Sequence, residues 1–523
     1  MIKLIDKNTY LAYLVCAKNA WLKFNKFDEL RTFFEAAESE KSGAFKARIV
    51  KQQAWKLFPN GVFIELSDKM DAALETQRHM EMKTQILFKA TFVYKTFLVV
   101  ADVLVYDNQR ECWNLYGISS KSGLDDKKKQ KEKEEIVSGL TFQAITLKAL
   151  GIELGEISII YLNKDYVRDE IIDLEQLFCT MKVSSEVSDK ESTVSQQMFE
   201  ISDVLLSDDC TELTCECIYK GRSNHCPTFS WSHSYVPAYS IHDLTRIGSS
   251  KKTLAALVDA GVFKINEISD DIKLTGSQKN QVHVYKQQKP LIDYEAINKE
   301  LATLTYPLYF FDYETYSPAI PMFNGFSPYK NIQVQFSLHI VYDQHTEPVH
   351  CEYLHEATND PSLNIIQKLQ EFIGSSGTII AWYKSFERTQ NSELAVRHPE
   401  FKEFLDDINN RIYDLMDIFQ KQMYVDVEFK GSSSIKNVLP VLAPEFSYKN
   451  LAIQNGQDAT QKWFDMVHGG VTIEEKQKIA QDLRKYCALD TYAMYAIWRQ
   501  LINTCNVSHG IAQEACTENM PIK

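Results

Sequence analysis

The sequence predicts a multidomain α/β protein, and three observations predict it. The chain has 523 residues, too long for one ordinary hydrophobic core. Apolar runs of strand length alternate with longer stretches of helical period. A short, helix-rich stretch separates two such regions, and a helix-rich segment closes the second. The boundaries fall at residues 1–235, 236–300 and 301–505, with a tail at 506–523 that carries no signal. Hydrophobic residues at 45% are ample for the cores this requires.

In the first region, Tyr10 to Phe24 has a helical pattern, and Ala90 to Tyr106 and Cys112 to Ile118 are β-rich. The charge-dense stretch Asp125 to Glu135 leads into an apolar helical pattern that ends near Leu150. Its lysines Lys127, Lys128, Lys129, Lys131 and Lys133 interleave with acids, which favours a solvated helix face over a phosphate site. Ile157 to Leu162 is a buried strand, and the Ser-rich, charged segment Lys182 to Ser195 is expected to be an exposed excursion. The middle region, IHDLTRIGSSKKTLAALVDAGVFKINEI, has a turn-then-helix rhythm with Gly248 and Gly261 as breakers, which predicts small helical hairpins.

The third region opens on a strand from Tyr306 to Tyr313. Further strands follow at Ile332 to Tyr342, His350 to Leu354 and Thr378 to Trp382, and a strong helical pattern runs from Ile473 to Leu501. This is the pattern of a mixed sheet flanked by helices.

A formal charge of −13 excludes a protein that coats nucleic acid through a uniformly basic surface. It leaves room for a nuclease, which gathers carboxylates at its metal site and keeps its cations in a local groove. No stretch approaches the roughly 20 apolar residues of a membrane helix, so a cytoplasmic protein without membrane contact is expected. Eleven cysteines in that compartment point to metal ligation rather than disulfides. Cys210, Cys215, Cys217 and Cys226 cluster in sequence.

Chemistry concentrates in the third region. Asp312 and Glu314 are two apart on a strand, so both carboxylates face one side and can hold a hard cation such as Mg²⁺. Tyr486 and Asp490 are four apart on a helix and share a face. Glu387, just after the strand Thr378 to Trp382, adds a further acid. Each feature alone is as well explained by a solvated surface acid; their order and context carry the argument.

The stretches FFDYETYSPAIPMFNGFSPYKNIQVQFSLHIV, YKSFERTQNSEL and YCALDTYAM resemble a bacterial family of unassigned function. That family joins an N-terminal RecB-like nuclease module to a C-terminal DnaQ-like exonuclease of ribonuclease-H-like fold. The resemblance implies a DEDD-type 3′–5′ exonuclease using two Mg²⁺ or Mn²⁺ ions. Asp312, Glu314, Glu387 and Asp490 would be the metal ligands, and Tyr486 would orient the attacking water or help deprotonate it, orientation being favoured because a phenol is a poor base at neutral pH. Glu387 stands where most members of the superfamily have Asp, and Asp414 is an additional acid whose alternative is a plain helix-face residue.

The first region resembles the RecB-like PD-(D/E)xK module through ATFVYKTFLVVADVLVYDNQRECWNLYGISSKSG, FQAITLKAL and IIYLNKDYVR. Asp102 matches the first acid, but Gly117 stands at the second acid and Ser119 at the lysine. Gln143 remains from the next motif, with Leu147 where tyrosine is usual. The resemblance therefore implies a degenerate module that binds or positions nucleic acid. Related modules carry a 4Fe–4S cluster, and the ligands implied here are Cys16, Cys210, Cys217 and Cys226, with Cys215 spare. A zinc site using His225, or buried free thiols, remain alternatives. The middle region is similar to the helix-hairpin-helix-like spacer of related proteins, with Lys251 and Lys252 before its helix and a plain packing role as the alternative.

The expected function is hydrolysis of single-stranded or frayed DNA or RNA from the 3′ end. A nucleic-acid-binding or defence-associated scaffold with a weak exonuclease domain is the alternative.

Overall fold

The computed structural model describes residues 3–35 and 39–518, with the side chains of 39–42 and 507–518 left aside. It is a mixed α/β protein of two compact units. The first comprises residues 1–218, 223–235 and 318–330, and the second residues 219–222, 236–317 and 331–523.

The first unit is built on a seven-stranded mixed sheet. Its long strands are β1 (Ile86–Tyr94), β2 (Phe97–Asp107), β3 (Cys112–Ser122), β4 (Leu154–Leu162) and β5 (Phe178–Lys182), in that spatial order. β1 to β3 form an antiparallel meander, and β4 joins β3 in parallel through a crossover helix. Helices α1 (Lys7–Val15) and α2 (Ala17–Asn25) open the unit, α3 (Ser39–Ala54) follows, and α4 (Gln130–Ala149) is the crossover. Tyr10 of α1 stacks on Phe142 of α4, with ring centroids 5.2 Å apart.

The segment expected to be an exposed excursion is helix α5, Ser184–Leu205. Val187, Val194, Met198, Ile201 and Leu205 form its buried face and pack into the same core as α4. The serines and charges between them hide a helical spacing that burial makes plain. Residues 318–330 also belong to this unit. Arg168 donates to the carbonyls of Pro321 at 3.0 Å and Met322 at 2.5 Å, and Ala319 and Ile320 join the core around Val103 and Ile118.

The second unit holds α6 (Lys251–Asp259), α7 (Gly276–Gln287) and a five-stranded sheet. Its strands are β6 (Leu308–Tyr316), β7 (Ile332–Val341), β8 (Val349–Leu354), β9 (Thr378–Ala381) and β10 (Ile412–Asp414). The spatial order is β8-β7-β6-β9-β10. β7 runs antiparallel to both β6 and β8, while β9 is parallel to β6 and to β10. Helix α8 (Lys384–Arg397) follows β9, and α9 (Ile435–Leu442), α10 (Gly456–His468) and the long α11 (Ile473–Glu518) complete the unit. Among the described residues, no helix is long and apolar enough to cross a membrane.

Candidate functional site

Strand β6 is central in its sheet, and the end of its apolar run carries Asp312 and Glu314. Alternation sends Tyr313 the other way, where its hydroxyl donates to Asn391 Oδ1 of α8 at 2.9 Å. The register pairs Ser337 of β7 with Asp312 and Gln335 with Glu314. Gln335, Ser337 and His339 are buried, and each has a hydrogen-bond partner on α11. Gln335 Nε2 donates to the Leu483 carbonyl at 3.3 Å, and the Thr491 hydroxyl lies 2.8 Å from both Ser337 Oγ and His339 Nδ1. This polar zipper sets the helix so that Asp490 comes to Asp312 and Glu314.

Glu387 arrives from the other side of β6. After β9 the chain turns through Tyr383, which holds a left-handed conformation with φ 73°. Asp414 ends β10 and secures that turn, accepting the backbone N–H of Tyr383 at 3.0 Å and of Lys384 at 2.9 Å. The structure thus corrects the helix-face reading of Asp414: it lies on a strand and holds the start of α8. One turn into α8, Glu387 is 1% exposed and within hydrogen-bonding reach of Asp312. Its Oε2 is buried without a hydrogen-bond partner.

Asp312, Glu314, Glu387, Tyr486 and Asp490 therefore converge, and a cleft of about 340 Å³ opens over Asp312, Glu314, Tyr486 and Asp490. Burial, followed by the charge of Asp490, raises the Asp312 carboxyl well above its usual range. Glu314 and Glu387 are raised by burial and then by Asp312. Asp490 is pushed up to about 6 by burial, against the opposing pull of Tyr448 and Lys436. Acids this crowded favour their neutral forms until a cation enters. The orphaned Glu387 oxygen fits that need.

Three neighbours escaped the sequence reading. The Tyr448 hydroxyl donates to Asp490 Oδ1 at 2.6 Å. Lys436, in the first turn of α9, lines the cleft, and its ammonium lies 5.6 Å from the Tyr448 ring centre. Cys487 is fully buried, and its sulfur groups with the carboxylates of Asp312 and Glu314 inside 4.8 Å. No spacing links Tyr448 to the acids. For Lys436 the run Ser432-Ser433-Ser434 before an apolar helix was a helix-start signal. Tyr486 is raised far above the phenol range by burial and the nearby carboxylates.

In the first unit, Asp102 accepts the Lys51 ammonium at 2.5 Å and the Ile118 N–H at 2.9 Å. A Cβ on Gly117 would lie 2.8 Å from Cδ2 of the buried Leu140, so a side chain there would require Leu140 to shift. Ser119 accepts the Lys121 N–H at 3.2 Å, and Gln143 donates to the Val100 carbonyl at 3.2 Å. Lys129 and Lys133 of the charged stretch pair with Glu132 and Glu186, as a solvated helix face does. In the second unit, Lys251 and Lys252 are exposed in the first turn of α6, where Ser250 makes no side-chain cap.

The first unit brings Cys16, Cys215, Cys217 and Cys226 together, all buried, with sulfurs within 4.8 Å of one another. This corrects the cysteine assignment: Cys215 belongs to the group. Cys210 is only partly buried and packs against the apolar core around α5. The group offers four thiolates to a metal.

With this geometry, the chain can be set beside known proteins. Residues 309–434 match a domain of unknown function, DUF2779. The match takes in Asp312, Glu314, Glu387 and Asp414 and stops short of Lys436, Tyr486 and Asp490. The chain is 27% identical over 282 residues to the uncharacterized protein UU173 of Ureaplasma parvum, covering 50% of this chain and 40% of that protein. It is 29% identical over 208 residues to the uncharacterized protein MG366 of Mycoplasma genitalium, covering 36% of this chain and 31% of that protein. The chain thus spans less than half the length of these relatives. No solved structure matches it.

Proposed function

We propose that the second unit is a metal-dependent 3′–5′ exonuclease acting on single-stranded or frayed nucleic acid. The observation that carries this reading is the meeting of Asp312 and Glu314 on one central strand with Glu387 and Asp490 from two helices, three separate points of the chain. The strand order β8-β7-β6-β9-β10, with only β7 antiparallel to its neighbours, supports a ribonuclease-H-like domain.

The four carboxylates would hold two divalent ions, which would supply activation of water and stabilisation of the leaving oxygen for phosphodiester hydrolysis. The chain's own residues arrange the rest. Tyr448 and Tyr486 hold the Asp490 carboxylate in place and orient water beside it. Trp382, Phe386 and Met494 line the cleft with apolar surface on which a terminal base can rest. The first unit is a degenerate nuclease module that positions the strand, because Lys51 occupies the charge of Asp102 and Gly117 leaves no second acid.

The test is digestion of 3′- and 5′-labelled single-stranded DNA and RNA with Mg²⁺, Mn²⁺ or EDTA. Stepwise 3′ shortening by the wild type, lost in EDTA and in Asp312→Ala and Asp490→Ala, is expected. Wild-type activity in both variants would overturn the assignment. Intact substrate in every lane, with binding retained, would leave a nucleic-acid-binding scaffold.

A further inference from the structure

We infer that Cys16, Cys215, Cys217 and Cys226 hold a single tetrahedral zinc ion rather than the four-iron cluster that the sequence resemblance implies. The sulfur spacing decides between the two. A Zn–S bond of about 2.3 Å places the corners of a tetrahedron about 3.8 Å apart. Here Cys16 Sγ lies 3.5 Å from Cys215 Sγ, Cys215 Sγ lies 3.7 Å from Cys226 Sγ, and all four sulfurs fall within 4.8 Å. In a 4Fe–4S cluster each thiolate binds a different iron, so the width of the inorganic core adds to every sulfur–sulfur distance. A core of eight atoms does not fit between sulfurs already this close.

The surroundings suit a structural ion. All four cysteines are buried, and all four are free thiols rather than disulfides. Cys16 caps α2, and its sulfur accepts the Asn19 N–H at 3.5 Å. Asn19 in turn accepts the Thr228 hydroxyl at 2.8 Å, two residues past Cys226. That outer bonding fixes ligands from both ends of the unit before the ion arrives. A closed set of four cysteines leaves no open position for water, so the ion is structural and does no chemistry. It ties the start of α2 to residues 199 positions away in the chain, where closing so long a loop is a large stabilising constraint.

The test is metal analysis of the full chain grown with both iron and zinc and purified without oxygen. About one zinc per chain, with neither iron nor acid-labile sulfide, is expected. Cobalt exchanged into the site should show the intense visible bands of tetrahedral thiolate coordination. Cys215→Ser should lose the ion and Cys210→Ser should keep it. Iron with acid-labile sulfide, before or after anaerobic reconstitution with ferrous iron and sulfide, would overturn the inference. So would a metal-free wild type, or zinc undiminished in Cys215→Ser. Should Cys215→Ser fail to fold, the metal content and cobalt spectrum of the wild type still decide.

Discussion

Lys436 lines a cleft walled by the half-buried acids Asp312, Glu314 and Asp490, and its charge acts in two directions. It opposes the upward shifts of Glu314 and Asp490, and it repels any metal ion that those acids attract. On the proposed two-metal reading, four ionised carboxylates and two divalent ions would balance, leaving the charge of a phosphodiester to be met by something else. Lys436 is the cationic side chain lining the cleft among the described residues. Lys436→Gln is therefore expected to change two affinities with opposite signs. Mn²⁺ should bind a few-fold tighter, while a single-stranded oligonucleotide in Ca²⁺ should bind about tenfold weaker, with a shallower salt dependence. A purely structural role would weaken both, and titration calorimetry with each ligand tells them apart.

At the scale of the element, β7 shows how a strand buried on both faces can still be polar. Gln333, Gln335, Ser337 and His339 are all buried, and their partners lie on α8 and α11. Burial, reinforced by the adjacent His350, lowers His339 to about 3. Its folded value lies below its unfolded one, so its contribution to stability is complete above about pH 6.5 and is lost as pH falls toward 3. His339→Gln should therefore lose less stability than the wild type between pH 7 and 4. The difference between the two melting curves should narrow by several degrees, roughly the effect of 1–2 kcal/mol. Parallel pH profiles would show that His339 takes up its proton equally in the folded and unfolded states. The crowded carboxylates act with the opposite sign, because their raised values favour the folded state as pH falls, which is why the comparison must be between variants.

For the whole molecule, the two units carry different versions of one arrangement, a carboxylate midway along a strand. In the second unit other acids surround it; in the first, Lys51 neutralises Asp102 and Leu140 fills the space beside Gly117. Asp102→Asn is accordingly expected to leave 3′ digestion unchanged. It should also lower the first unfolding transition by about 1–2 kcal/mol, because a buried, bonded charge is lost from a pair whose lysine is about one third exposed. Loss of digestion with unchanged stability would move the chemistry to the first unit.

Much of this was legible in one dimension. Strand and helix periods located the elements, and spacings of two and four residues paired Asp312 with Glu314 and Tyr486 with Asp490, because those intervals are properties of a single element. The α5 helix was missed because serines and charges interrupt its apolar face. Only the tertiary structure decided that Cys215 replaces Cys210, that Tyr448 and Lys436 join the cleft, and that Asp414 holds a helix start. Each of these depends on packing between elements far apart in the chain, where contact follows from which faces are buried together and not from any interval along the sequence.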